Sequence, residues 1–165
     1  MFEIKKSTFE DVLYLKDRLR KSDVEELKLL NSTPFESLSS SYYFSEQCYT
    51  AFLNNKPAAM FGAGRIFKDS DKKIASIWLM STDDILLHKT EFLRKTKSYI
   101  EKFKNDYDIL INVIDIKNHI TIKWLKWLGF KFGNPFNVSG GELVPFNYSN
   151  SKSILSTSSF ILLSS

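Results

Sequence analysis

The stretch from Asp108 to Phe132, DILINVIDIKNHITIKWLKWLGFKF, decides how the rest of the chain is read. Ile109, Leu110, Ile111, Val113, Ile114 and Ile116 form a short apolar run rich in β-branched residues, bounded by polar ones, which predicts a buried strand. A helix is expected almost at once. Ile120, Trp124, Leu125 and Leu128 follow the 3.6-residue period of an inward stripe, with Lys123 and Lys126 on the other side. Gly129 then suits a left-handed C-cap, and Phe130-Lys131-Phe132 restarts an extended segment. The unit reads strand, tight loop with Asn118, helix, Gly-Phe, strand.

Upstream, Phe2 to Lys5 alternates as a first strand. Thr8 offers an N-cap with Glu10 and Asp11 in the first turn, where the helix macrodipole favours negative charge. Ser22 with Glu25 reads as a capping box that opens a second helix. Thr33, Pro34 and Glu36 repeat the signal for a third, which the serines from Ser37 to Ser41 should keep short. From Tyr49 the period becomes extended: Tyr49 to Leu53 and Ala58 to Phe67 flank Asn54-Asn55-Lys56, a hairpin turn, because asparagine tolerates positive φ. Ile74 to Met80 supplies another strand with Trp78 inside. Phe92, Leu93, Thr96, Tyr99, Ile100 and Phe103 mark one face of a long helix that Asn105 closes. After Gly140-Gly141 a last strand is expected at Glu142 to Tyr148. The order is βααα, βββ, αβαβ, β. The three tryptophans, Trp78, Trp124 and Trp127, are expected in the core or at its edge.

The chain of 165 residues is expected to form one domain over 1–148. Residues 149–165, with eight serines, one lysine and no acid, read as a tail. Two readings of the tail stay open: a frayed terminus, or a docking segment that orders on a partner. An apolar share of 43% argues against disorder, and no segment reaches the length of a membrane span. The surplus of +4 is dispersed among acids, so no dedicated nucleic-acid surface is expected. One cysteine excludes an internal disulfide and a multi-cysteine zinc site, and no carboxylate run has metal spacing. Without a secretory signal in MFEIKKSTFED, the expected location is cytoplasmic.

The central unit resembles the C-terminal half of the GNAT N-acetyltransferases, whose motif there is an Asn, a helix, and Gly-Phe eleven residues after the Asn; Asn118, Gly129 and Phe130 match it. It is closer still to a GNAT-like family of short-tailed bacteriophages, internal virion or acetyltransferase-like proteins, in which Asn is followed by His-Ile, then Phe/Trp-Leu-Lys and Gly. Asn118, His119-Ile120, Trp124-Leu125-Lys126 and Gly129 carry that likeness over about 25 residues. The resemblance implies an α/β (α+β) fold with a mixed, mostly antiparallel central sheet and helices on both faces. It implies acetyl-CoA as cofactor, an amine as acceptor, or, for the phage branch, a virion protein as partner and the host cytoplasm or virion as location.

In that family the cofactor enters where the fourth and fifth strands splay. Its pantetheine arm pairs with the fourth strand, which points here to Leu79, Met80 and Ser81, and Asn118 belongs to the same set. The diphosphate sits on a Gln/Arg-x-x-Gly-x-Gly/Ala loop at a helix start, where close backbone approach and N–H donors are needed. Ser81 to Thr90 departs from this: it has no glycine and holds Asp83 and Asp84, which would repel a phosphate or else cap Ile85 to Leu87. His88, Lys89, Thr90 and Arg94 could meet phosphates by side chain. The family's proton donor is a Tyr seven residues after the Asn, where Leu125 stands, so Ser81 or a water would have to substitute. Base candidates are Asp115, His119 and Glu46. Each also has a structural reading: His119 as a cap or surface residue, Asp115 as the residue leading into the helix, Asn118 as its N-cap. The two functional expectations are an acyl-CoA-dependent N-acyltransferase and a non-catalytic virion or assembly protein on the same fold.

Overall fold

The computed structural model describes residues 1–150; the expectations for the tail from 151 on lie outside the described residues. The elements are β1 (Phe2–Lys6), α1 (Phe9–Leu15), α2 (Lys21–Leu29), α3 (Pro34–Phe44), β2 (Gln47–Leu53), β3 (Lys56–Ile66), β4 (Ile74–Ser81), α4 (Asp84–Leu87), α5 (Lys89–Asp106), β5 (Ile109–Asp115), α6 (His119–Trp127), β6 (Lys131–Phe132), β7 (Phe136–Val138) and β8 (Gly141–Ser149). The strands hydrogen-bond in the order β1-β2-β3-β4-β5-β8-β6, with β7 also on β8. The β4–β5 pairing is parallel, while β1–β2, β2–β3, β5–β8, β6–β8 and β7–β8 are antiparallel.

Local chemistry explains most boundaries. Asp11 reaches back to the N–H of Thr8 at 2.9 Å and closes the start of α1. Thr33 and Glu36 exchange bonds of 3.2 and 3.1 Å at the start of α3, with Pro34 at the first helical position. The serines do not cut α3 short. Ser39 donates to the carbonyl of Phe35 at 2.6 Å and Ser40 to that of Ser37 at 3.3 Å, so their hydroxyls fold back on their own helix. For α2, the Ser22–Glu25 box is overturned: the helix begins two residues earlier, with Arg20 as N-cap and Asp23 at its third residue. The hairpin turns on Asn54 and Asn55 at φ 50° and 63°.

The described residues form two compact units. One comprises Met1–Gly64 and Ile77–Tyr99. Its core gathers Val12, Leu15, Leu27 and Leu38 of the helices on Met60 and Met80, with Trp78 partly buried against them. Side chains alternate along a strand, so Phe61 lies on the opposite face from Met60. There Tyr49 packs tilted and Phe61 edge-on against Tyr99 of α5, at 4.6 and 5.8 Å between centroids. Helices thus cover both faces of this part of the sheet.

The other unit comprises Arg65–Ser76 and the chain from Ile100 on. Ile66, Ile74, Ile109 and Ile111 pack together, and Phe130 meets Phe146 edge-on at 5.6 Å. Gly129 ends α6 at φ 93°, in the left-handed region. The carbonyl of Leu128 left by that ending accepts from the buried ammonium of Lys104, which also lies over the Tyr148 ring at 4.5 Å. The inward stripe of α6 is narrower than its apolar periodicity: Trp124 is buried, but Ile120 and Trp127 are 43% and 57% exposed, contrary to expectation.

Candidate functional site

The C-terminal end of β4 carries the first half of the expected site. The β4–β5 ladder has three register pairs, Ile74–Ser76 against Ile109–Ile111, and β4 runs on to Ser81. The N–H of Thr82 donates to Ala58 O of β3 at 2.8 Å. Peptide groups alternate sides along a strand, so Met80 also turns its groups toward β3, while Leu79 and Ser81 turn theirs to the edge away from β3.

At Ser81 that edge is occupied from within the unit. Its N–H donates to Asp23 Oδ2 at 2.8 Å and its carbonyl accepts the N–H of Arg20 at 2.8 Å. Asp23 in turn pairs with the Arg20 guanidinium at 2.9 Å, both residues almost completely buried. Burial pushes the Asp23 carboxyl above its ordinary value, and the charge and hydrogen bonds of Arg20 and Ser81 pull it partly back. The hydroxyl of Ser81 is itself buried, 3.5 Å from the same carboxylate. This pair was not legible in the sequence. Its only signal was an Arg and an Asp three apart at a helix start, masked by the stronger-looking Ser22–Glu25 pattern.

The segment between β4 and α5 has no diphosphate cradle of the glycine type. It folds instead as α4, pinned by the fully buried Ile85, with Asp83 in helical conformation at φ −66° and ψ −17°. Asp83 makes no side-chain cap bond; Asp84 takes up the Thr82 hydroxyl at 3.3 Å. Both acids are exposed. The long helix starts at Lys89, directly after His88, whose carbonyl accepts the N–H of Phe92 at 3.0 Å. His88, Lys89 and Thr90 are exposed there, His88 edge-on to Phe2 at 6.2 Å. Glu91 in the same first turn accepts the N–H of Phe2 at 2.8 Å, and that bond holds its carboxyl below the usual range. Arg94 faces elsewhere, lining a groove with the start of β1.

The remaining expected residues sit in the second unit. Asp115 ends β5, is buried, and accepts the N–H of Lys117 on Oδ1 at 3.0 Å, while its carbonyl accepts that of Asn118 at 2.9 Å. Asn118 is buried and caps α6 through the N–H of Thr121 at 3.4 Å. His119 is exposed at the first position of the helix. Among the described residues, no group of three or more His, Cys, Asp or Glu is placed to hold a metal ion, and no helix is long and apolar enough to cross a membrane.

No sequence-family profile and no curated protein matches the chain. Solved structures do. A structure of aminoglycoside acetyltransferase AAC(6')-Ib in complex with ribostamycin and coenzyme A is 15% identical with a TM-score of 0.64, covering 90% of this chain and 93% of that one. The ribosomal-protein-S18-alanine N-acetyltransferase from Escherichia coli is 13% identical with a TM-score of 0.58, covering 93% and 97%. An N-acetyltransferase from Staphylococcus aureus Mu50 is 12% identical with a TM-score of 0.61, covering 90% and 98%. The chain has the GNAT N-acetyltransferase fold.

Proposed function

We propose that the chain is an acyl-CoA-dependent N-acyltransferase acting on an amine. The observation that carries this reading is the short parallel ladder of β4: three paired residues, then a continuation to Ser81 on which Leu79 offers a backbone edge, followed by the start of an 18-residue helix. An extended amide-bearing arm pairs with such an edge as a strand does. The residues fit a donor held by that arm and by side chains. Leu79 would pair with the arm, since Met80 turns its groups to β3 and those of Ser81 are held by Asp23 and Arg20, and His88, Lys89 and Thr90 would meet the phosphates. When bound, the donor supplies an activated acyl thioester. In the second unit, the exposed imidazole of His119 would take a proton from an ammonium acceptor, and Asn118 caps the start of α6 beside it. Asp115 is the alternative base, but its carboxylate already serves the turn into α6.

The coenzyme complexes among the similar structures support the donor class, and the ribostamycin complex supports an amine as acceptor class. The test is a thermal shift with acetyl-CoA. A donor at about 100 times its dissociation constant adds roughly 2.7 kcal/mol, a displacement of several degrees. No shift at millimolar acetyl-CoA would refute donor binding.

A second reading is favoured by the Asp23 carboxylate on Ser81 N–H, by Asp83 and Asp84, and by Leu125 where the family has a Tyr. On it the fold serves as a non-catalytic virion or assembly component of phage type, with a virion protein as partner. An unshifted melting temperature in a well-folded protein would favour this reading.

A further inference from the structure

The open margin of the sheet in the first unit is β1, which ends the strand order and pairs only with β2 among the described residues. Its register decides which peptide groups look outward. Ser7 donates its N–H to Cys48 O at 3.0 Å, so the odd positions face β2. Phe2, Ile4 and Lys6 therefore turn N–H and C=O outward. Phe2 shows what that edge accepts: its N–H is taken by Glu91 at 2.8 Å and its carbonyl by the Lys95 ammonium at 2.8 Å. A carboxylate and an ammonium one helical turn apart stand where a neighbouring strand would present C=O and N–H.

Beyond that pair the edge opens into a cavity of about 580 Å³, within the range of binding sites, lined among others by Phe2, Ile4, Arg94, Lys95, Ser98 and Tyr99. Its lining carries two cations, Arg94 and Lys95, against one acid, Glu3, which is held by Lys5 at 3.2 Å, and Lys5 and Lys6 lie beyond it on the strand. Lysines along an open edge repel ordinary strands. A strand bringing carboxylates finds cations in their place.

We propose that the β1 edge is a docking site for an extended acidic peptide of another protein, added as a strand through the peptide groups of Ile4 with its carboxylates on Arg94 and the neighbouring lysines. This is independent of acyl transfer. The test uses the full chain and a labelled ten-residue peptide alternating Glu with Val and Thr, beside the same peptide with Lys for Glu, followed by fluorescence anisotropy. The Glu peptide should bind saturably and less tightly as salt is added, and the Lys peptide should not bind at millimolar protein. Ile4→Pro removes an outward N–H and no ladder bond, which an edge strand tolerates, and should abolish binding. Arg94→Glu, an exposed substitution that carries the test should Ile4→Pro fail to fold, should weaken binding about tenfold. Equal binding of the Lys peptide, no binding of the Glu peptide, full binding by a folded Ile4→Pro or by Arg94→Glu, or a concentration-dependent dimer in place of peptide binding would each overturn the proposal.

Discussion

Gly129 and Asp23 are single residues whose surroundings set opposite expectations. At Gly129 a Cβ would meet only the Lys104 ammonium at an ordinary 3.6 Å, so space is not the constraint; the φ of 93° is. Gly129→Ala should therefore cost about 1 kcal/mol in chemical denaturation, through conformation alone. Asp23 is constrained by charge. Its raised carboxyl pKa says that burial outweighs the help of Arg20, in line with buried ion pairs that give little net stability. Removing one partner leaves the other charge buried, so Asp23→Ala or Arg20→Ala should each lose about 3–5 kcal/mol, whereas Arg20→Met with Asp23→Leu should recover most of it. The pH dependence follows in sign. A carboxyl whose folded pKa lies above its ordinary 3.8 favours folding in its protonated form, so its contribution declines as pH rises from that value through the folded pKa. Denaturation midpoints of the wild type, measured against the double variant from pH 4 upward, should show this decline; a rise would mean that Arg20 dominates.

The elements whose order defines the fold were legible because their apolar periods are long: the β5 run, the α5 face and the alternation around Asn54-Asn55 each repeat one pattern over several residues. The β2–β3 turn bears this out, with two asparagines at positive φ. Asn55→Gly should hold or gain a few tenths of a kcal/mol, and Asn55→Val should lose about 1–2, read as shifts in melting temperature. What was not legible had no period to show: β7 is three residues long, and α4, expected only as the alternative in which Asp83 and Asp84 cap Ile85 to Leu87, is a single turn whose strong determinant is the burial of Ile85. Ile120 and Trp127 were misread for the converse reason: the apolar stripe of α6 is wider than the surface that covers it. Within the site, Asn118 could be read from its place before a helix, since capping is local chemistry. The Arg20–Asp23–Ser81 arrangement could not, because it joins residues 58 apart in sequence.

At the scale of the whole molecule, the proposed acyl transfer turns on how a GNAT fold without a glycine cradle would meet a polyanionic donor. From Ser81 to Glu91 the chain carries three carboxylates, Asp83, Asp84 and Glu91, and one lysine. Glu91 is committed to the N–H of Phe2, which leaves Asp83 and Asp84 as exposed charges before α5, with Lys89 as their nearest cationic counterpart along the sequence. A phosphate about 6 Å from one such carboxylate, at an effective dielectric near 20, is disfavoured by roughly 2–3 kcal/mol. If acetyl-CoA binds through side chains at the start of α5, three results belong together. Lys89→Ala should weaken binding, affinity should fall with added salt because the contacts are exposed charges, and Asp83→Gly with Asp84→Asn should tighten binding by about tenfold or more. Calorimetric titration of the three proteins with acetyl-CoA at two salt concentrations separates the terms. Tightening in the acid-to-neutral variant together with loss in Lys89→Ala would locate the phosphates at the α5 start, while unchanged affinity in both would put the donor's charge elsewhere and remove the side-chain route from this chain.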